Sequence, residues 1–173
     1  MYARLGAAIA MIAIASPAAY AAGAAPTDPQ IAHIAYTADE IDIANAKQAL
    51  KISKNKDVVA FANDMIRDHE AVNKQALDLT KKLNVKPEDN DTSRSLTKAA
   101  TEERHKLAKL KGAAFDKAYV ENEVAYHKQV NSALETVLIP SAKTPELKDL
   151  LQTGLKLFQG HEQHAEHVAA MLK

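Results

Sequence analysis

A chain of 173 residues carrying 22 basic and 22 acidic side chains is electrically balanced, which removes the electrostatic case for nucleic-acid binding. It has no cysteine, so neither a disulfide framework nor a lipid-attachment thiol is available. Glycine is scarce and isolated beyond the N-terminal region, and no Gly-x-Ser-x-Gly occurs, which leaves nucleotide enzymes and serine hydrolases unsupported.

The first segment reads as a secretory signal over residues 1–21. Met1 to Arg4 is a short basic start, Leu5 to Ala15 is an apolar run too short for a stable membrane span, and Ala19-Tyr20-Ala21 supplies small residues at a cleavage site. Export would place the mature chain in the periplasm or at the outer membrane, with an envelope protein or surface as the expected class of partner. Residues 22–28 read as a flexible linker and 29–173 as one helical domain. No later segment has the apolar length of a membrane span.

Thr27-Asp28-Pro29 is a helix start, a capping side chain followed by proline in the first turn. Helical patterning then runs to about Ser53. Asn55-Lys56-Asp57 is a tight connection, with Asn55 or Asp57 able to cap a second helix that continues to Leu83. Asn84 to Thr92, with Pro87 and an acidic run, is a solvated loop. A short, charged third helix spans about Ser95 to Lys111 and ends near Gly112, and a fourth runs from Ala113 to about Ile139. Pro140 to Lys143 is a break, and Thr144-Pro145-Glu146 starts the last helix. Strand signals are absent. Four long helices and a short one predict an all-α, up-down four-helix bundle with a long crossover containing a short extra helix.

Each of three helices carries one histidine in its apolar seam. His69 falls in Phe61, Met65, His69, Val72, Ala76, Leu79, Leu83. His127 falls in Phe115, Tyr119, Glu123, His127, Val130, Leu134, Val137. His161 falls in Leu147, Leu151, Gly154, Phe158, His161, Ala165, Val168, Leu172. Every step is three or four residues, the spacing that stacks side chains on one helix face. Glu40 lies about fifteen residues before the first tight turn and His69 about fourteen after it, so at ~1.5 Å per residue they reach one height in an antiparallel pair. Glu123 falls level with His161 by the same measure. A mixed site of imidazole and carboxylate suits zinc, copper, iron or manganese. The candidate ligands are Glu40, His69, His127 and His161, with Glu123 as a fifth. Asp68, Tyr119 and Tyr126 are candidates for orienting them. A buried hydrogen-bond network of the same residues, without metal, is the alternative.

Phe61-Ala62-Asn63-Asp64-Met65-Ile66-Arg67-Asp68-His69 resembles the Phe-Ala-x-x-Met-x-x-Asp-His signature of the exported bacterial family known as domain of unknown function 4142. Gly112-Ala113-Ala114-Phe115-Asp116-Lys117-Ala118-Tyr119 ahead of His127 is similar to its second signature. Leu155, Phe158, His161 and Ala165 match a third, and Ala38-Asp39-Glu40 resembles the acidic position on the first helix. The resemblance implies a ferritin-like bundle and no assigned chemistry.

Di-iron carboxylate centres of ferritin-like proteins use Glu-x-x-His on two helices. Here Glu123 precedes His127 by four residues, Ile66 stands three before His69, and Phe158 three before His161. No nucleophile or acid–base pair is recognised, so no catalytic residue is assigned. Metal binding at mid-bundle is the first functional reading. The second is an envelope interaction or stress-response bundle whose histidines form a buried polar network. His164 and His167, with His161, fan over the last helix surface and read as solvated, as do the lysine stripes near Lys47 and Lys106.

Overall fold

The computed structural model describes residues 25–172, and the expected signal segment and residues 22–24 of the expected linker lie outside them. Among the described residues the chain is all-helical. Helix α1 (Asp28–Ile52) opens with Pro29 in its first turn, and Gln30 Oε1 accepts the Thr27 N–H at 3.1 Å. Asp28, expected in the linker, is thus the first helical residue. α2 (Lys56–Lys82) is capped by Asn55, whose Oδ1 accepts the N–H groups of Asp57 at 2.9 Å and Val58 at 3.3 Å. This satisfies two of the donors that a helix start leaves unpaired. At its other end Asn84 adopts φ 51°, while Asn84 N–H reaches Lys81 O and Val85 N–H reaches Thr80 O, a Schellman ending with asparagine in the left-handed position.

α3 (Asp91–Leu107) begins four residues before the expected Ser95, because Asn90 and Ser93 cap it reciprocally: Ser93 N–H to Asn90 Oδ1 at 3.1 Å and Asn90 N–H to Ser93 Oγ at 3.2 Å. Gly112 opens α4 (Gly112–Ala133) rather than closing α3, with φ +55°, a conformation glycine adopts without steric cost. Pro140 was expected to break the chain, yet helix continues through a π-helical turn at Leu134–Leu138 and an α-helical turn at Ile139–Ser141. The wider turn lies just where proline lacks a donor and crowds the preceding carbonyls. The break falls later, before α5 (Pro145–Met171). The Asp28 carboxylate accepts the N–H groups of Lys143 and Thr144, both at 2.8 Å, and so joins the starts of α1 and α5.

Each long helix packs on two others: α1 on α2, α2 on α5, α5 on α4 and α4 on α1, with α3 laid chiefly against α1. The buried apolar residues form two clusters. One gathers Ile31, Ile34, Leu96, Val130, Leu151 and Phe158; the other gathers Ala46, Ala49, Phe61, Met65, Phe115, Tyr119 and Val168. Between them on every long helix sit buried polar residues: Asp39, Asp42 and Asn45 on α1, His69 on α2, Asn122, Glu123 and His127 on α4, and His161 on α5. A polar layer therefore divides the core at mid-height. Placing such groups out of water is costly unless partners hold them.

Candidate metal centre

The three seam histidines converge. Their ring centroids form a triangle with sides of 5.1 Å (His69–His161), 5.6 Å (His127–His161) and 5.9 Å (His69–His127). Each helix positions its imidazole through one ring nitrogen. His69 Nδ1 lies 2.7 Å from Asp39 Oδ1, His161 Nε2 lies 3.0 Å from Asp68 Oδ2, and His127 Nδ1 lies 3.0 Å from the Glu123 backbone oxygen. A carbonyl only accepts, so His127 Nδ1 carries the hydrogen and Nε2 the lone pair. Carboxylate acceptors assign the hydrogens of the other two rings in the same way.

The opposite nitrogens, His69 Nε2, His127 Nε2 and His161 Nδ1, are buried and lack a hydrogen-bond partner. Ligand atoms from the three histidines lie within 4.8 Å of one another, as do those of Asp42, Glu123 and His127. These groups could hold a metal ion. Orientation of a ligating histidine through its second nitrogen is the usual support of such a site.

Charge in the layer is set by burial. Desolvation, with the neighbouring imidazoles of His69 and His161, drives His127 down to about 3, so the ring is neutral at ordinary pH. Burial also lowers His161, against the pull of Asp68. Glu123 is raised by burial to about 7, although Asp42 and Asn45 bond to it, and Asp42 is raised by burial and by Glu123. Two facing carboxyls out of water share a proton in preference to both ionising. Asp42 Oδ1 and Glu123 Oε2 accept no hydrogen bond, the latter lying 3.8 Å from His127 Nδ1, while Glu123 Oε1 accepts from Asn45 Nδ2 at 3.3 Å. Asp68 is lowered chiefly by Arg67, which binds both its oxygens, and is ionised beside His161.

The structure thus brings together His69, His127, His161 and Glu123, with Asp68 behind His161. Glu40 is a correction: it is exposed and accepts from Asn73 Nδ2 at 2.8 Å on the outer face. The α1 carboxylates at the centre are Asp39 and Asp42, which the sequence reading missed. Height along the helix was matched, but not direction around it. At roughly 100° per residue Glu40 lies about half a turn from the core residue Ile31, whereas Asp42 lies within about 20° of it. Tyr119 is fully buried beside the carboxyl pair, its hydroxyl without a partner and its pKa pushed up by burial, then by Glu123 and Asp42. Tyr126 does not bond a histidine: its hydroxyl donates to Ala38 O at 3.2 Å, and its ring meets His127 edge-on. Phe158 stacks on His69 at 4.9 Å and closes the apolar side.

No curated protein and no solved structure matches the chain. The family model described as "Domain of unknown function (DUF4142)" matches residues 13–168, most of the chain, and the protein belongs to that family.

Proposed function

We propose that this protein binds one transition-metal ion in the polar layer, through His69, His127 and His161 with an oxygen of Asp42 or Glu123. The observation that carries it is the set of three buried ring nitrogens that make no hydrogen bond, each on an imidazole held through its other nitrogen, with Asp42 Oδ2 3.5 Å from the His69 member. His127 has a single free lone pair, so the two overlapping groups that contain it describe one ion rather than two. Three imidazoles and a carboxylate are a donor set for zinc, copper, iron or manganese. The absence of Glu-x-x-His pairs supports a mononuclear centre over a carboxylate-bridged one. Export and a ferritin-like arrangement belong to the same reading, supported by the N-terminal sequence and by the closed ring of long-helix contacts.

Titration of the metal-free protein with zinc chloride, followed by calorimetry and thermal unfolding, tests it. A ligand that binds only the folded state stabilises by about 2.7 kcal/mol at a hundredfold excess over Kd. One equivalent bound, a raised Tm and reversal by chelator support the reading. The second reading, a polar network serving an envelope interaction, draws on the Asp39–His69 and Asp68–His161 bonds. It predicts a Tm that follows pH and ignores metal and chelator.

A further inference from the structure

The core at the Pro29 end of the bundle is not filled. Small residues meet there from all four long helices: Ala32, Ala35 and Ala38 on α1, Ala76 on α2, Ala133 on α4 and Gly154 on α5. They border a cavity of about 60 Å³. Along α2 the seam residues before His69 (Val58, Phe61, Ala62 and Met65) are wholly buried, whereas Val72, Ala76 and Leu79 after it are only half-buried and face this space. The π-helical turn supplies Leu134 and Leu138 to the same wall, and wider turns of this kind recur at functional sites. Of the three polar side chains at the cavity, Tyr36 is half-buried at the edge, Asp39 is bonded to His69 Nδ1, and Thr80 donates to Leu77 O. A buried water needs about two to four polar partners and finds too few here, so the space suits an apolar occupant. Phe158 lines the cavity and stacks on His69 at 4.9 Å, so one aromatic ring stands between the cavity and that imidazole. Gly154 leaves room for the ring, since a Cβ there would meet Phe158 at 3.3 Å.

We propose that this cavity binds one small neutral apolar molecule of the size of dioxygen, held against Phe158 beside the histidine layer. Size decides the class. The cavity exceeds the ~10–15 Å³ that one water requires and is less than half the ~150 Å³ of an apolar cavity that takes benzene. An aromatic ring or an acyl chain is therefore too large. A charged or hydrogen-bonding ligand would find no partners to replace its water. A second void of about 10 Å³ shares Ala32, Leu79, Thr80 and Leu147 with the first and continues to Leu83 and Val85 at the bundle end. It gives a molecule of this size a way in. The walls hold none of the three histidines, so occupancy does not depend on a metal ion.

Dissolved dioxygen is paramagnetic, so methyl-proton relaxation of the full, metal-free protein under oxygen pressure, compared with nitrogen, tests this. Relaxation should rise more at the buried methyls of Leu134, Leu138 and Leu151 than at Leu77 and Met171, which are 41% and 48% exposed. Ala76→Leu puts a larger apolar side chain into the space and should abolish that excess, with the far-ultraviolet circular dichroism unchanged. Leu151→Ala widens the cavity instead. Benzene should then raise the Tm of this variant, as a ligand of the folded state does, and leave the wild-type Tm where it is. Enhancement that follows exposure, greatest at Leu77 and Met171, would overturn the site, as would an equal excess in the wild type and Ala76→Leu. A wild-type Tm raised by benzene would overturn the assignment to a dioxygen-sized occupant. Zinc has no part in either readout, so this result and that of the metal titration stand or fall separately.

Discussion

The Nδ1–H of His127 donates to the backbone oxygen of Glu123 at 3.0 Å, one turn earlier in the same helix, and that bond decides which nitrogen faces the centre. Because the acceptor is main chain, no side-chain substitution can free Nδ1, and Nε2 is the only atom through which this residue can ligate.

His127→Ala should therefore remove a ligand outright. Metal affinity measured by competition with a chromophoric chelator should fall by at least about 100-fold, beyond the 10–100-fold typical of losing an orienting partner. Unaltered affinity would exclude His127 from the site.

The metal-free protein should have a pH profile limited on both sides. His127 is depressed from 6.5 to about 3, so the unfolded state binds more protons between those values; its contribution is complete above 6.5 and is lost as pH falls through the window. Glu123 is raised from 4.5 to about 7, so its contribution is complete below 4.5 and is lost as pH rises toward 7. Chemical denaturation from pH 3 to 8 should show stability climbing up to about 4.5 and levelling where the two windows oppose each other. Glu123→Gln should reduce the loss toward pH 7, leaving what burial of Asp42 alone contributes. Superimposable wild-type and variant profiles would contradict this assignment of charge.

Asp39→Asn and Asp68→Asn replace the carboxylate acceptors that orient His69 and His161 with neutral amides, and each should weaken metal binding about 10–100-fold. Glu40→Gln should leave metal affinity unchanged, since Glu40 is exposed and bonds Asn73. A large effect of Glu40→Gln with none for Asp39→Asn would reverse the present assignment of the α1 carboxylates.

Asn55→Ala should destabilise the fold by about 1 kcal/mol, the usual cost of losing an N-cap, without changing metal affinity. Urea denaturation of the metal-free protein measures the first and chelator competition the second.

The helices were legible because their signals are local: Asn55 ahead of α2, Pro145 inside the start of α5, and seam residues every three or four positions. The three histidines were legible for the same reason, since each interrupts an otherwise apolar stripe. The partners on α1 were not. Asp39 and Asp42 sit beside Glu40 in sequence, and choosing among them requires the rotation of the helix, which height alone leaves free. Ile31 and Ala46, both wholly buried, carry that rotational information. The continuation past Pro140 was hidden because a π-helical turn has no sequence signature comparable to a cap, and Gly112 reads equally as the end of one helix or the beginning of the next. Asp28, which reaches Lys143 and Thr144, is a contact between distant segments that no local pattern announces.

Elemental analysis of the untagged protein from its native compartment, beside a His69→Ala, His127→Ala and His161→Ala triple variant, tests the central claim most directly. The predicted result is close to one equivalent of a transition metal in the wild type and none in the variant, with the folded state of both verified by circular dichroism. Equal metal in the two proteins, or a metal-free wild type whose Tm ignores added zinc and copper, would contradict it.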